Sequence, residues 1–306
     1  MFGSRSPHYE KVAHSDTEAG EEAPRQLKKS FISRSTTYFN FGFFVVNTII
    51  FVTTLWANGR KGANWALKQT NYDTPLLDQF TFKMTDVKQN ASLFNDPFTI
   101  YKADPSPEVD AAWDAIADTP VLVFSKEDIV RIGKDPEYTT SVPEEFGYGT
   151  DKYFGVMDGQ HLIHCLDELR RFAHYDYYYR EKWGDMSNIP PMHAAHRSHC
   201  IGVLLNALKC QPSLNIVTWT WMEDQPEPFP DFNAWRKCQN TDELFEWIDK
   251  RQVSRQSIKD WDWKRPEGQK EIPLLPQLKE EEGKGGEKHA DLGVAHNHGQ
   301  GHTHDS

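Results

Sequence analysis

The sequence predicts an α+β fold that is mainly helical, a single luminal domain preceded by one transmembrane helix. Three observations predict it: a long apolar stretch without charge near the N-terminus, several segments with apolar residues at helical spacing, and two short runs with strand character. The net charge of -11 argues against a nucleic-acid partner, because binding to phosphates requires a basic surface.

The apolar stretch covers residues 39–57, and no acid or base lies between Arg34 and Arg60. In a helix it would extend roughly 28 Å, which is close to the hydrocarbon thickness of a bilayer. The alternative is a buried helix of a soluble core, because Asn40 and Asn47 make the stretch only moderately apolar. We interpret it as a transmembrane helix and the chain as a single-pass membrane protein.

The flanking charges predict the orientation of this helix. More cations precede it than follow it, which favours a cytosolic N-terminus and a main domain in the lumen of the secretory pathway. Residues 1–34 are polar and lack apolar periodicity, so we expect a disordered cytosolic tail there. The cations before it are Arg25, Lys28, Lys29 and Arg34, and those after it are Arg60, Lys61 and Lys68. The sequon Asn90-Ala91-Ser92 supports this topology, because glycosylation at Asn90 takes place only on the luminal side.

Residues 60–105 hold scattered aromatic side chains among Asn, Asp and Pro, which predicts an irregular stalk or a wrapping arm. The compact domain is expected over residues 106–255. It should begin with a helix near Pro107, followed by a strand at 121–124 and a short helix that starts at Ser125.

Periodicity predicts further elements after a glycine-rich loop. They are helices over 160–179 and 192–209, a strand over 215–221, a loop over 222–231 and a last amphipathic helix over 241–253. Residues 266–306 are polar and are expected to form a disordered tail. The tail is rich in histidine and would bind metal weakly, without fixed geometry. Its histidines are His289, His296, His298, His302 and His304.

One pentapeptide pattern occurs twice: His161-Leu-Ile-His164-Cys165 and His196-Arg-Ser-His199-Cys200. Each copy lies in a predicted helix, where residues three apart are surface neighbours. Two such helices packed antiparallel would bring four imidazoles together. Imidazole binds copper, zinc, iron and nickel, so the ligand type does not choose the metal. We therefore predict a transition-metal redox site, with the four histidines as ligands and catalytic groups.

His193 lies a further three residues before the second copy. It is either an additional ligand, a partner of the ligands or an ordinary polar histidine.

All four cysteines follow the predicted anchor: Cys165, Cys200, Cys210 and Cys238. An even number in an oxidising compartment is typical of two disulfides, and buried free thiols are the alternative. The cysteines of the repeated motif could also be thiolate ligands. Our preferred hypothesis is a disulfide between Cys165 and Cys200 that clamps the two helices, which leaves Cys210 to pair with Cys238.

These motifs and their flanking blocks resemble the UstYa family of fungal oxidative tailoring proteins. The resemblance covers about residues 106–250. It is carried by VDAAW at 109–113, HLIHCLDELRRF at 161–172, HRSHCIGVLLNALKC at 196–210 and WRKC at 235–238. The family often has His or Gln just before the last cysteine, where this chain has Lys237.

The resemblance implies a metal-dependent oxidase that uses molecular oxygen, with copper favoured, for oxidative cyclisation of a peptide or related secondary metabolite in mycotoxin biosynthesis. Two alternatives stay open: a hydroxylase or halogenase that acts on an aliphatic carbon, and a non-catalytic membrane scaffold with structural zinc. The implied partners are the metabolite or peptide substrate, the membrane, and a paralogue or other enzymes of the same biosynthetic cluster.

Overall fold

The computed structural model describes residues 34–59, 62–93, 99–274 and 276, in two units that divide between Lys61 and Gly62. In the first unit a single helix, α1, covers Arg34–Gly59. It is longer than the predicted 39–57 at both ends, and it is long and apolar enough to cross a membrane. The predicted tail over 1–34 lies outside the described residues except for Arg34.

Four polar side chains in the middle of α1 donate hydrogen bonds within the helix. Asn47 Nδ2 donates to the carbonyl of Phe43 at 2.7 Å, and Thr48 and Thr54 donate to carbonyls four residues earlier. Hydrogen bonds of this kind lower the cost of placing such side chains in hydrocarbon. The moderate polarity of the stretch is therefore compatible with a membrane helix.

The second unit combines helices with small sheets. Its helices are α2 Trp65–Thr70, α3 Leu76–Gln79, α4 Pro107–Ala117, α5 Lys126–Arg131, α6 Asp158–Ala173, α7 Tyr175–Tyr178, α8 Arg180–Trp183, α9 Pro191–Cys210, α10 Thr241–Asp249 and α11 Arg255–Asp260. Its strands are β1 Met84–Lys88, β2 Leu122–Ser125, β3 Lys152–Gly155, β4 Thr218–Thr220, β5 Phe229–Asp231 and β6 Trp235–Gln239. The predicted mixture of helices with a smaller share of strand is confirmed.

The strands form three antiparallel pairs, β1 with β6, β2 with β3, and β4 with β5. In the first pair Met84 lies opposite Gln239 and Lys88 opposite Trp235. This pairing joins the segment predicted as an irregular stalk to the part of the chain just before α10. We call residues 60–105 the arm, and their status as a separate segment stays a prediction.

The arm also contributes to the core. Phe80 and Phe82 pack against a cluster formed by the buried side chains of Leu122, Leu244 and Ile248. A second cluster joins Val121 to Val253 and Ile258, and Val123 of β2 packs against it, so alternate residues of β2 pack toward α10 and α11. Burial of these side chains is the main stabilising contribution in this half of the domain.

The predicted starts of the first two helices of the domain are confirmed. Ser106 Oγ accepts from the amide of Val109 at the start of α4, and Pro107 occupies the first helical position. At α5, Ser125 and Asp128 form a complete capping box, in which each side chain accepts from the other residue's amide.

Five predicted segments differ from the structure. The helix predicted over 160–179 ends at Ala173, and α7 begins after the non-helical His174. The strand predicted over 215–221 covers only 218–220, and the loop predicted over 222–231 ends in β5. The predicted glycine-rich loop contains β3, whose Tyr153 is buried. The last predicted helix, 241–253, ends at Asp249.

A buried ionic network fixes α6 against α4. Asp167 is almost completely buried and accepts from Arg170 Nε at 2.6 Å and from Arg171 Nε at 2.8 Å. The second guanidinium nitrogens of the two arginines reach across to α4, to Asp110 and Asp114, at 3.0 Å each. The network sets the rotation of α6 about its axis, and with it the direction in which the first motif faces.

We expect Asp167→Asn to lower the free energy of unfolding by about 3 kcal/mol, because it leaves two buried guanidinium groups without their shared carboxylate. Chemical denaturation followed by circular dichroism measures this loss. Asp114→Asn is the matched control, and it should cost less than about 1 kcal/mol since the Asp114 side chain is 39% exposed. Equal losses in the two variants would contradict a central role for Asp167.

Candidate metal centre

The two copies of the repeated motif lie on α6 and α9, and their imidazole rings face one another. The ring centroids of His161 and His199 are 5.7 Å apart, and those of His164 and His196 are also 5.7 Å apart. Because the earlier residue of one motif faces the later residue of the other, the helices run antiparallel here. Within each helix the two rings are 6.2 Å (α6) and 6.3 Å (α9) apart. The structure thus brings the four rings together, and their role as ligands stays a prediction.

The spacing of the rings suits a metal ion. Around a tetrahedral ion whose bonds to nitrogen are about 2.0–2.1 Å long, imidazole centroids lie roughly 5 Å apart. The cross-helix pairs, at 5.7 Å, would have to close by less than about 1 Å, and the within-helix pairs, at 6.2 and 6.3 Å, by somewhat more than about 1 Å. Side-chain rotation alone can supply such a movement at a site that is only partly buried.

A sulfur atom adds to this donor set. Among the described residues, His161, Cys165 and His199 form a group whose ligand atoms all lie within 4.8 Å of one another. Cys165 Sγ is 3.8 Å from His161 Nε2. Burial raises the pKa of the Cys165 thiol, so without a metal this thiol is protonated at neutral pH. A thiolate donor beside imidazoles suits copper(I) or zinc, and the interpretation of the motif cysteines as ligands therefore stays open.

All four cysteines are free thiols, so the structure contains neither predicted disulfide. Cys165 and Cys200 each follow the second histidine of a motif, and both are completely buried. Cys210 is exposed at the end of α9, whereas Cys238 is half-buried in β6. Both disulfide pairings stay predictions.

Comparison with known proteins assigns the chain to a family. The family model described as "Mycotoxin biosynthesis protein UstYa" matches residues 21–251. The chain belongs to the UstYa family. The resemblance deduced from the motifs is confirmed, and the match extends toward the N-terminus beyond the expected 106–250.

Two curated relatives agree with this assignment. UstYa family oxidase aprY of Aspergillus flavus is 31% identical over 191 residues, which are 61% of this chain and 57% of the relative. UstYa family oxidase phomYc of Diaporthe leptostromiformis is 26% identical over 155 residues, 48% of this chain and 57% of the relative. The chain thus matches little more than half the length of these relatives. No solved structure matches it significantly.

His193, which precedes the second motif of this UstYa family chain, has a packing contact. Its ring lies 4.6 Å from the ring of Trp183, and Trp183 in turn stacks on Tyr179 at 4.6 Å. These rings connect α8 to the start of α9. The contact favours a structural role for His193 over the predicted alternatives.

A buried carboxyl group, which the sequence analysis missed, lies on α6 one turn after the motif. Glu168 is 6% exposed, and burial raises its pKa to about 7, against the opposing effect of Arg171. Its spacing of four residues from His164 places both on one side of the helix, and that spacing is the signal that could have identified it. The centre therefore has a neighbouring group that can hold or release a proton near neutral pH.

The predicted glycosylation site and the tail histidines lie away from the centre in the sequence. Asn90 is exposed and lies two residues beyond the end of β1, and its Oδ1 accepts from the amide of Ser92 at 3.3 Å. Glycosylation there stays a prediction. The histidines of the tail, from His289 to His304, lie outside the described residues.

Glu168→Gln should flatten the pH dependence of stability. The folded-state pKa is raised, so the stabilising contribution of the protonated carboxyl is present below its ordinary pKa and is lost as the pH rises through about 7. At pH 8 we expect the variant to be more stable than the wild type by about 3 kcal/mol, with little difference at pH 4.5. Urea unfolding at both pH values checks this. Glu181→Gln, at an exposed position of α8, is the control and should change neither value. A constant difference between Glu168→Gln and wild type across this range would contradict the account.

Proposed function

We propose that this chain is a metal-dependent oxidase that catalyses an oxidative tailoring step in secondary metabolism. The observation that supports it is the convergence of four imidazoles from two antiparallel helices, His161 and His164 on α6 with His196 and His199 on α9. The curated relatives are named oxidases, and the family is described by its part in mycotoxin biosynthesis. The reaction we favour is oxidative cyclisation of a peptide or related metabolite.

Copper is the metal we propose, because the resemblance to the family favours it, and molecular oxygen is the proposed oxidant; imidazole donors accept copper among other metals. A bound copper ion would supply one-electron redox chemistry and a binding position for oxygen. The chain's own residues would hold the ion through the four imidazoles and keep its surroundings partly apolar. Glu168 would take up or release protons beside the centre, since its pKa of about 7 permits both at neutral pH.

Exposure of the centre favours catalysis over a structural zinc site. His199 is exposed, and the other three histidines are half-buried. A structural ion is enclosed by protein ligands, whereas a catalytic ion keeps a position open to substrate. Hydroxylation or halogenation of an aliphatic carbon would use the same centre. Cyclisation is the reaction we favour over these two alternatives.

We further propose that α1 spans a membrane with the N-terminus in the cytosol and the rest of the chain in the lumen of the secretory pathway. The length of α1, the hydrogen bonds of its central polar side chains and the excess of cations before it support this topology. The exposed sequon at Asn90 would then be available for glycosylation. A paralogue or neighbouring enzymes of the same biosynthetic cluster are the partners we expect.

Luminal topology predicts a glycan on Asn90. The full-length chain expressed in a fungal host should lose mass on treatment with an N-glycan-removing endoglycosidase, as judged by gel migration. Asn90→Gln should migrate like the treated wild type. Asn233→Gln is the matched control, because this asparagine is outside any sequon and should keep the shift. Wild type that is insensitive to the enzyme would contradict the use of this site.

Four single substitutions should each abolish product formation and lower the copper bound per chain, while circular dichroism shows a folded domain. They are His161→Ala, His164→Ala, His196→Ala and His199→Ala. The tail would bind copper too, so the test uses a full-length background in which its five histidines are Asn. Bound metal is measured by elemental analysis, and product by mass spectrometry of the producing host.

His174→Ala is the matched control, because His174 lies on the same helix end but outside both motifs. It should keep metal and product. If two or more of the four motif variants kept full product formation, the four-ligand centre would be refuted.

A further inference from the structure

The part of the chain directly after the second motif exposes large apolar side chains to water. Six of them, which we call the apolar face, are each more than half exposed. They are Ile201, Leu205 and Leu208 on the second half of α9, and Ile216, Trp219 and Trp221 in the segment that leads into β4 and just past it. In the described part of the chain, none of the six packs against the two buried clusters.

The three residues of the apolar face on α9 form a seam along one side of the helix. They are four and three residues apart, which places them one above the other. At 3.6 residues per turn, the middle of the seam lies roughly 180° around the helix from His196 and His199, whose rings face α6. Leucine and isoleucine at this spacing are typical of a helix that packs against another helix. The seam therefore has the character of a contact surface, on the side of α9 opposite to the metal centre.

The area of the apolar face is that of a stable interface. The six side chains are between 52% and 79% exposed, which corresponds to roughly 900 Å² of surface, and a standard interface buries about 800 Å² on each partner. A monomeric protein rarely leaves so large an apolar surface in water. Its size therefore indicates a macromolecular partner.

A bilayer is a poor match for this face. Among the described strands, β4 pairs with β5 alone, so its second edge is open, and hydrocarbon cannot hydrogen-bond to an open strand edge. The exposed carboxylates of Glu223 and Asp224, which follow Trp221 closely, would also be costly in hydrocarbon. An open strand edge beside apolar side chains instead suits another protein chain.

We propose that the apolar face is the contact surface between two copies of this chain related by a two-fold axis. Charge favours a second copy, because Lys209 is the only charged residue between Ile201 and Cys210, so two α9 seams can meet without like charges between them. The open edge of β4 favours it too, since a strand edge can pair antiparallel with its own copy across a two-fold axis.

The contact is separable from the metal centre. The seam lies on the side of α9 opposite to His196 and His199, so dimer formation does not use the proposed ligands. Anchoring by α1 would promote the contact, because copies held in one membrane share one orientation and a raised effective concentration.

The mass of the full-length chain in a mild detergent, measured by light scattering after gel filtration, tests the contact. We expect wild type to have a protein mass of twice 35.4 kDa. Leu205→Glu should raise the dissociation constant by at least about 100-fold and give the mass of one chain, because a two-fold contact would bury two carboxylates without partners. Val130→Glu is the matched control and should stay dimeric, since Val130 is an exposed apolar helix residue outside the apolar face.

Photo-cross-linking identifies the occupant without a destabilising charge. With p-benzoylphenylalanine in place of Leu208, and two differently tagged chains produced together, illumination should link position 208 of one copy to residues 201–222 of the other. The same group in place of Val130 should give no such link.

Two sets of results would overturn the proposal. One is a monomeric wild type, or a dimer that persists unchanged in Leu205→Glu, because the copies would then meet through another surface such as α1. The other is cross-linking of position 208 only to lipid or to a different protein, which would assign the apolar face to that occupant instead.

Discussion

The antiparallel packing of α6 against α9 is the constraint on which the rest of the site depends. Residues three apart on one helix can present two imidazoles, but only a second helix of opposite direction can place His199 against His161 and His196 against His164. Each helix also carries a fully buried cysteine directly after its second motif histidine, Cys165 on α6 and Cys200 on α9. A change in the spacing or rotation of these helices would separate the rings before it unfolded the domain.

An ionic network with α4 fixes the rotation of α6 about its axis. Asp167 and its two arginines connect this helix to α4 through hydrogen bonds of 2.6–3.0 Å. Burying such groups is costly, and a buried ionic network is often no more stabilising than apolar packing. Its directional bonds instead favour one orientation of the helix, which a site with fixed ligand geometry requires. Glu168, the next residue along the chain, retains a raised pKa in the same surroundings.

Local signals in the sequence predicted local features. The sequence alone indicated four features, because each depends on residues a few positions apart. They are the capping box at Ser125, the proline at the start of α4, the long uncharged helix and the repeated motif. The meeting of the two motifs was also predictable, since identical donor patterns on two helices have a common chemical purpose.

Features that depend on distant partners were not predictable. The strand β1 pairs with β6 across some hundred and fifty positions, as Thr85 opposite Cys238 shows, and every residue of β1 is exposed. No apolar alternation marks such a strand. Glu168 was missed because one sequence does not show which acidic residues of a helix face a packed neighbour. The thiol state of the cysteines depends on redox conditions and is not encoded in their spacing.

The central claim is that imidazoles from both helices bind the same metal centre. Anomalous X-ray diffraction from crystals of the copper-loaded protein tests it most directly. The account predicts density for the metal at roughly 2.0–2.1 Å from imidazole nitrogens of both α6 and α9. Metal bound to the histidines of one helix alone, or only to other parts of the chain, would contradict it.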